Sequence, residues 1–166
     1  MSMHDMGAAN RDGLRKSVSL EQRKASFARA AAQRDVEFDG GKPAYTGGTP
    51  EVLTAESTDV DLEFYDFYRT ARGWRPNTTT HPALATNPKF MTLYPFNDTD
   101  LLSSRPLLFI TGDQAHSREF SENAYQLAAE PKELFLVPGA GHVDLYDSVN
   151  LIPFDKLTDF FRSYLV

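Results

Sequence analysis

The residue in this chain best placed for chemistry is His142, in the run Pro138-Gly139-Ala140-Gly141-His142-Val143-Asp144. A neutral imidazole can take a proton from a hydroxyl and return it to a leaving group, and it can also ligate a metal. The three small residues before it permit a tight turn, from which the ring can project over the end of a preceding strand. Taken alone, a histidine in a glycine-rich loop reads equally well as structural. His142 and Asp144 offer two metal ligands without a third nearby in sequence, and neither His4 nor His81 obviously completes the set, so no metal site and no cofactor is expected. His116 and Ser117 are adjacent, so their side chains leave a helix start in different directions. Ser117 therefore reads as a helix cap. No cysteine is present, which removes thiolate chemistry and disulfides together.

Two short apolar runs must position His142. Leu107-Leu108-Phe109-Ile110, closed by Gly112, suits a strand buried on both faces, and Glu133 to Val137 suits a second that ends at Pro138-Gly139. Between them a helix capped by Ser117 carries Phe120, Ala124, Leu127 and Ala128 on one face, and Pro131 stops it. Phe154, Leu157, Phe160, Phe161 and Tyr164 repeat at helical spacing near the end of the sequence. Strand, helix, strand, loop, helix is the order of a parallel sheet with covering helices, so the fold class is α/β. Two strands alone leave such a sheet short of neighbours.

The first two thirds read differently. Ser19 and Gln22 form a capping box before an alanine-rich helix extending to about Arg34. A glycine-, proline- and threonine-rich connection follows from Asp39 to Pro50. Val60, Phe64, Phe67 and Tyr68 predict a second helix over Asp59 to Arg72, ended by Gly73. Trp74 to Asp100 reads as loop with one short helix.

Composition bounds the function. The 166 residues are 41% hydrophobic, enough for one core, and 17 basic against 23 acidic residues give a net charge of −6 without a basic cluster. Nucleic acid is not an expected partner. Residues 1–15 lack the apolar centre of a signal peptide, and no apolar run approaches the length of a membrane helix, so a cytoplasmic protein without a membrane partner is expected.

Arg105-Pro106-Leu107-Leu108-Phe109-Ile110-Thr111-Gly112, Ala115-His116-Ser117, Ala129-Glu130-Pro131-Lys132-Glu133-Leu134 and Pro138 through Asp147 together resemble the final strands and histidine loop of α/β-hydrolases of the dienelactone-hydrolase-like or YcjY-like esterase type. Ser2-Met3-His4-Asp5-Met6-Gly7 is similar to the end of the sixth strand in such proteins. The resemblance implies a partial α/β-hydrolase fold: residues 1–7 as a strand end, 8–104 as a helical lid insertion, and 105–166 as the C-terminal core portion. It implies His142 as the general base of an acyl-ester hydrolase. The triad acid is then Asp5, at the end of the sixth strand, or Asp113, beside Gly112, with Asp5 slightly favoured. Ala115 stands where the family usually carries that carboxylate. The aromatic residues Phe64, Tyr65, Phe67, Tyr68, Trp74 and Phe96 would line an acyl pocket, or pack as ordinary core.

In that family the nucleophile is the serine of a G-x-S-x-G turn, and this sequence has no such turn. The expectation is a C-terminal hydrolase fragment, truncated or split from its other half and inactive alone. In the complete enzyme its partner is a small-molecule acyl substrate. The alternative is a noncatalytic interaction or oligomerisation module, because unpaired edges of apolar strands recruit other strands. The module reading predicts a homo-oligomer, and the fragment reading allows a complex with an N-terminal half.

Overall fold

The computed structural model describes residues 4–76 and 80–165. These form two compact units, one comprising residues 6–93 and the other residues 4, 5 and 94–165.

The first unit is helical. Helix α1 (Met6–Arg11) opens it, so the strand expected over residues 1–7 gives way to helix from Met6; residues 1–3 lie outside the described ones. Arg11 Nη1 donates to the carbonyls of Met91 and Leu93, at 3.0 and 3.2 Å, tying α1 to α4 (Asn87–Met91). Helix α2 (Leu20–Phe38) starts at the capping box foreseen in sequence: Gln22 N donates to Ser19 Oγ and Ser19 N donates to Gln22 Oε1. It runs four residues beyond Arg34, since nothing from Asp35 to Phe38 interrupts a helix before the Gly40-Gly41 turn. Helix α3 (Asp59–Tyr68) has a second capping box between Thr58 and Asp61. It ends four residues before Arg72, where the Arg69 backbone (φ −113°, ψ 1°) leaves helical geometry while its guanidinium donates to Thr49 O at 2.8 Å and Pro50 O at 3.3 Å. The Gly73 amide then reaches back to Phe67 O. A side chain at Gly73 would meet the Phe67 ring, with Cβ 2.7 Å from Cδ1.

The second unit carries the sheet. Strands β1 (Leu107–Gly112) and β2 (Lys132–Val137) run parallel, with Leu107 opposite Lys132 and Gly112 opposite Val137. Helix α5 (Arg118–Leu127) makes the crossover, and α6 (Asp144–Asp147) and α7 (Phe154–Tyr164) follow β2. Alternation sends Phe109 towards Tyr125 of α5, with ring centroids 6.2 Å apart. Ile110 and Phe135, opposite each other in register, pack with Leu151 against the cluster of Val137, Ala140 and Leu145. The strands are less covered than their composition suggested: Leu107 to Ile110 are half-buried, and only Thr111, Gly112 and Val137 are buried. Among the described residues the sheet has two strands, so each strand has one edge that no other strand covers. Phe154, Phe161 and Tyr164 of α7 are about half exposed. No described helix is long and apolar enough to cross a membrane.

Candidate active site at the strand ends

The site lies at the carboxyl ends of β1 and β2, where open α/β sheets bind ligands. The loops leaving the two strands are joined by backbone and side-chain hydrogen bonds. Asp113 N donates to Val137 O at 3.0 Å, Gln114 N to Ala140 O at 3.1 Å, and Gly139 N to Asp113 Oδ1 at 2.8 Å. Gly139 takes φ +72°, a conformation that side chains resist. Gly112 admits the second loop: a Cβ there would stand 2.5 Å from the Ala140 carbonyl carbon and 2.9 Å from Gly141 O. Gly141 N donates to Asp144 Oδ2 at 2.8 Å, and Asp144 starts α6.

These bonds fix the position of His142, which is 2% exposed. Its Nδ1 lies 2.6 Å from Ser117 Oγ, and its Nε2 lies 2.6 Å from the Tyr146 hydroxyl one turn later. The imidazole is held at both nitrogens, and each hydroxyl can donate or accept to suit either tautomer. Ser117 occupies the N-cap position of α5 without capping it by its side chain. Its side chain makes no bond to the helix amides and is fully buried against the imidazole. Sequence adjacency to His116 concealed this role. The clue is periodicity: Phe120, Ser121, Ala124 and Ala128 are the buried positions of this segment, and one turn back on that face is Ser117. Leu127, expected on the face, is 54% exposed.

Two further histidines meet His142. The His116 ring centroid is 4.9 Å from that of His142, and the His4 centroid is 5.8 Å away. His4 also stands edge-on to Phe120 at 5.1 Å. Burial holds the His4 imidazole below its usual pKa, the neighbouring His116 lowers it further, and the carboxylate of Asp5 opposes both. Of the aspartates expected near the base, Asp113 spends Oδ1 on Gly139 N and Gln114 Nε2, and Asp5 acts electrostatically on His4. His81 belongs to the other unit, where Arg69 Nη2 donates to its Nε2 and its Nδ1 donates to Thr46 O. The aromatic set is also divided: Phe64, Tyr65, Phe67, Tyr68 and Trp74 lie in the helical unit, Phe96 in the other.

No protein-family model matches the chain. It is 40% identical over 167 residues to the uncharacterized protein PA2218 of Pseudomonas aeruginosa, covering 99% of this chain and 45% of that protein. It is 27% identical over 148 residues to the uncharacterized protein YcjY of Escherichia coli K12, covering 89% and 48%. Among solved structures, PA2218 superposes with a TM-score of 0.90 at 39% identity, over 98% of this chain and 51% of that one. DcsB, solved with its substrate analogue, gives 0.67 at 19% identity, over 87% and 52%. The α/β hydrolase GrgF from Penicillium sp. sh18 gives 0.65 at 20%, over 87% and 50%. The chain spans about half the length of the curated relatives it matches. With its parallel strands, crossover helix and superposition on GrgF and DcsB, this α/β chain has the fold of the α/β-hydrolases over that span.

Proposed function

We propose that this chain contributes the general base, His142, to a serine hydrolase acting on acyl esters, and that the nucleophilic serine is carried by polypeptide outside these 166 residues. The observation that carries the reading is the buried imidazole at the carboxyl ends of two parallel strands, held by hydroxyl groups at both nitrogens. In the tautomer with a proton on Nδ1, Ser117 accepts that proton's hydrogen bond and Nε2 is the basic atom. Tyr146, which then donates to Nε2, gives way when a nucleophile approaches. Nε2 takes the serine proton as the acyl carbon is attacked and returns it to the departing alkoxide. A carboxylate would stabilise the imidazolium further, and Asp5 and Asp113 are the candidates, Asp5 being the one already beside the histidine cluster. Residues 8–104 would then be the lid insertion of that hydrolase. The relatives' greater length supports a nucleophile outside this span.

The test has two arms. This chain alone should hydrolyse p-nitrophenyl acetate no faster than its His142→Ala variant, and a clear His142-dependent rate would mean that the nucleophile has been misplaced. Combined with the part of PA2218 that this chain does not match, it should gain esterase activity, and His142→Ala should lower that activity by on the order of 10³-fold or more.

A second reading, a noncatalytic interaction module, draws on the open strand edges and the exposed apolar residues of α7. It requires a stable homo-oligomer in which another copy covers the edges. A monodisperse monomer on gel filtration removes it.

A further inference from the structure

The reaction proposed above uses His142 and leaves His4 and His116 without a task. Their ring nitrogens and those of His142 nevertheless converge: one ligand atom from each of the three lies within 4.8 Å of the other two. Zinc held by imidazoles at ~2.0–2.1 Å in tetrahedral geometry needs about 3.4 Å between nitrogens. The cluster is therefore open by at most about 1.4 Å, a distance that side-chain torsions cover. A second observation points the same way. His4 Nδ1 is buried and has no hydrogen-bond partner among the described residues, a state that buried polar atoms rarely keep without a role. Phe120 fixes the ring edge-on, and Asp5 places negative charge beside it.

We propose that His4, His116 and His142 form a binding site for one divalent transition-metal cation of the Zn²⁺ class. Three neutral imidazoles suit zinc, copper or nickel and offer little to Mg²⁺ or Ca²⁺, which take oxygen ligands. Both nitrogens of His142 are now hydrogen-bonded, so the cation displaces one hydroxyl, that of Ser117 or of Tyr146. Metal on His142 occupies the lone pair that a general base needs. If the hydrolase reading holds, the cation is an inhibitor; the binding itself does not depend on that reading.

The experiment is calorimetric titration of the metal-free chain with Zn²⁺, with Mg²⁺ as control. Expected are saturable binding of one Zn²⁺ per chain, no Mg²⁺ response, and at least about tenfold weaker binding in His4→Ala and in His116→Ala. His81→Ala, in the other unit, should bind as the parent does. His116→Gln, which keeps a polar side chain of similar reach, serves if the alanine variant does not fold by circular dichroism. Absence of saturable Zn²⁺ binding, or binding that survives the His4 and His116 substitutions, overturns the proposal. Ester hydrolysis has no part in the readout, so failure here is separate from failure of the hydrolase reading.

Discussion

Ser117→Ala is the most informative single change, because the structure and the sequence assign this residue different jobs. Its hydroxyl is fully buried and lies 2.6 Å from Nδ1 of His142, itself 2% exposed. Alanine removes the hydroxyl that Nδ1 of His142 meets. Leaving a buried polar group unsatisfied costs about 1–3 kcal/mol. With a urea m-value of about 2 kcal/mol/M, that is a midpoint lowered by about 0.5–1.5 M. A helix cap would give a loss of similar size, about 0.5–2 kcal/mol, so the single variant cannot separate the two roles. A double-mutant cycle can. In a His142→Leu background the imidazole is gone, and Ser117→Ala should cost little, leaving a coupling of about 1–2 kcal/mol between the positions. A Ser117→Ala cost that is the same in both backgrounds would refute the pairing and restore the cap.

Two other perturbations bear on the same site. Gly112→Ala drives a methyl group into the Ala140 and Gly141 backbone, and the loop carrying His142 must move; a loss of about 1–3 kcal/mol in urea unfolding is expected, and parent-like stability would contradict the close approach. For pH, the folded-state pKa of His4 lies below the ordinary imidazole value of about 6.5, lowered by burial and then by His116, with Asp5 opposing. The unfolded chain therefore takes up the proton first as pH falls. The contribution of His4 is complete above about 6.5, declines as pH drops through that value towards the folded pKa, and falls no further below it. His4→Gln should flatten this part of the stability curve, and an unchanged slope would remove His4 as its source.

The local elements were legible because local chemistry dictates them. Ser19 and Gln22 announce α2, the Leu107 to Ile110 run announces β1, and Pro138-Gly139-Ala140-Gly141 announces the turn that presents His142. What the sequence hid depends on long-range packing. No spacing rule links residue 4 to residues 116 and 142, so the histidine cluster emerges only when the chain folds. Strand burial was overestimated for a related reason: apolar composition reports what a strand could bury, whereas cover depends on how many neighbours the sheet has. Ser117 failed for a subtler one. A serine before a helix satisfies the cap preference and the inward face equally, and only Phe120, Ala124 and Ala128, followed back one turn, break the tie.

The cost of this arrangement is itself an argument about its use. A small unit whose core consists of Val137, Ala140, Leu145 and their neighbours gains most from apolar side chains at enclosed positions. It instead buries an imidazole with two hydroxyl partners and packs two more histidines against it, leaving His4 Nδ1 without a hydrogen bond among the described residues. Replacing such a polar group and its partners by apolar groups of the same shape is often neutral or stabilising, so packing alone gives no reason to prefer histidine here. Loops joined by Asp113, Gly112 and Asp144 hold His142 at the strand ends, with His116 and His4 packed against it. That is the arrangement to expect if the nitrogens must meet a proton or a cation in a fixed geometry.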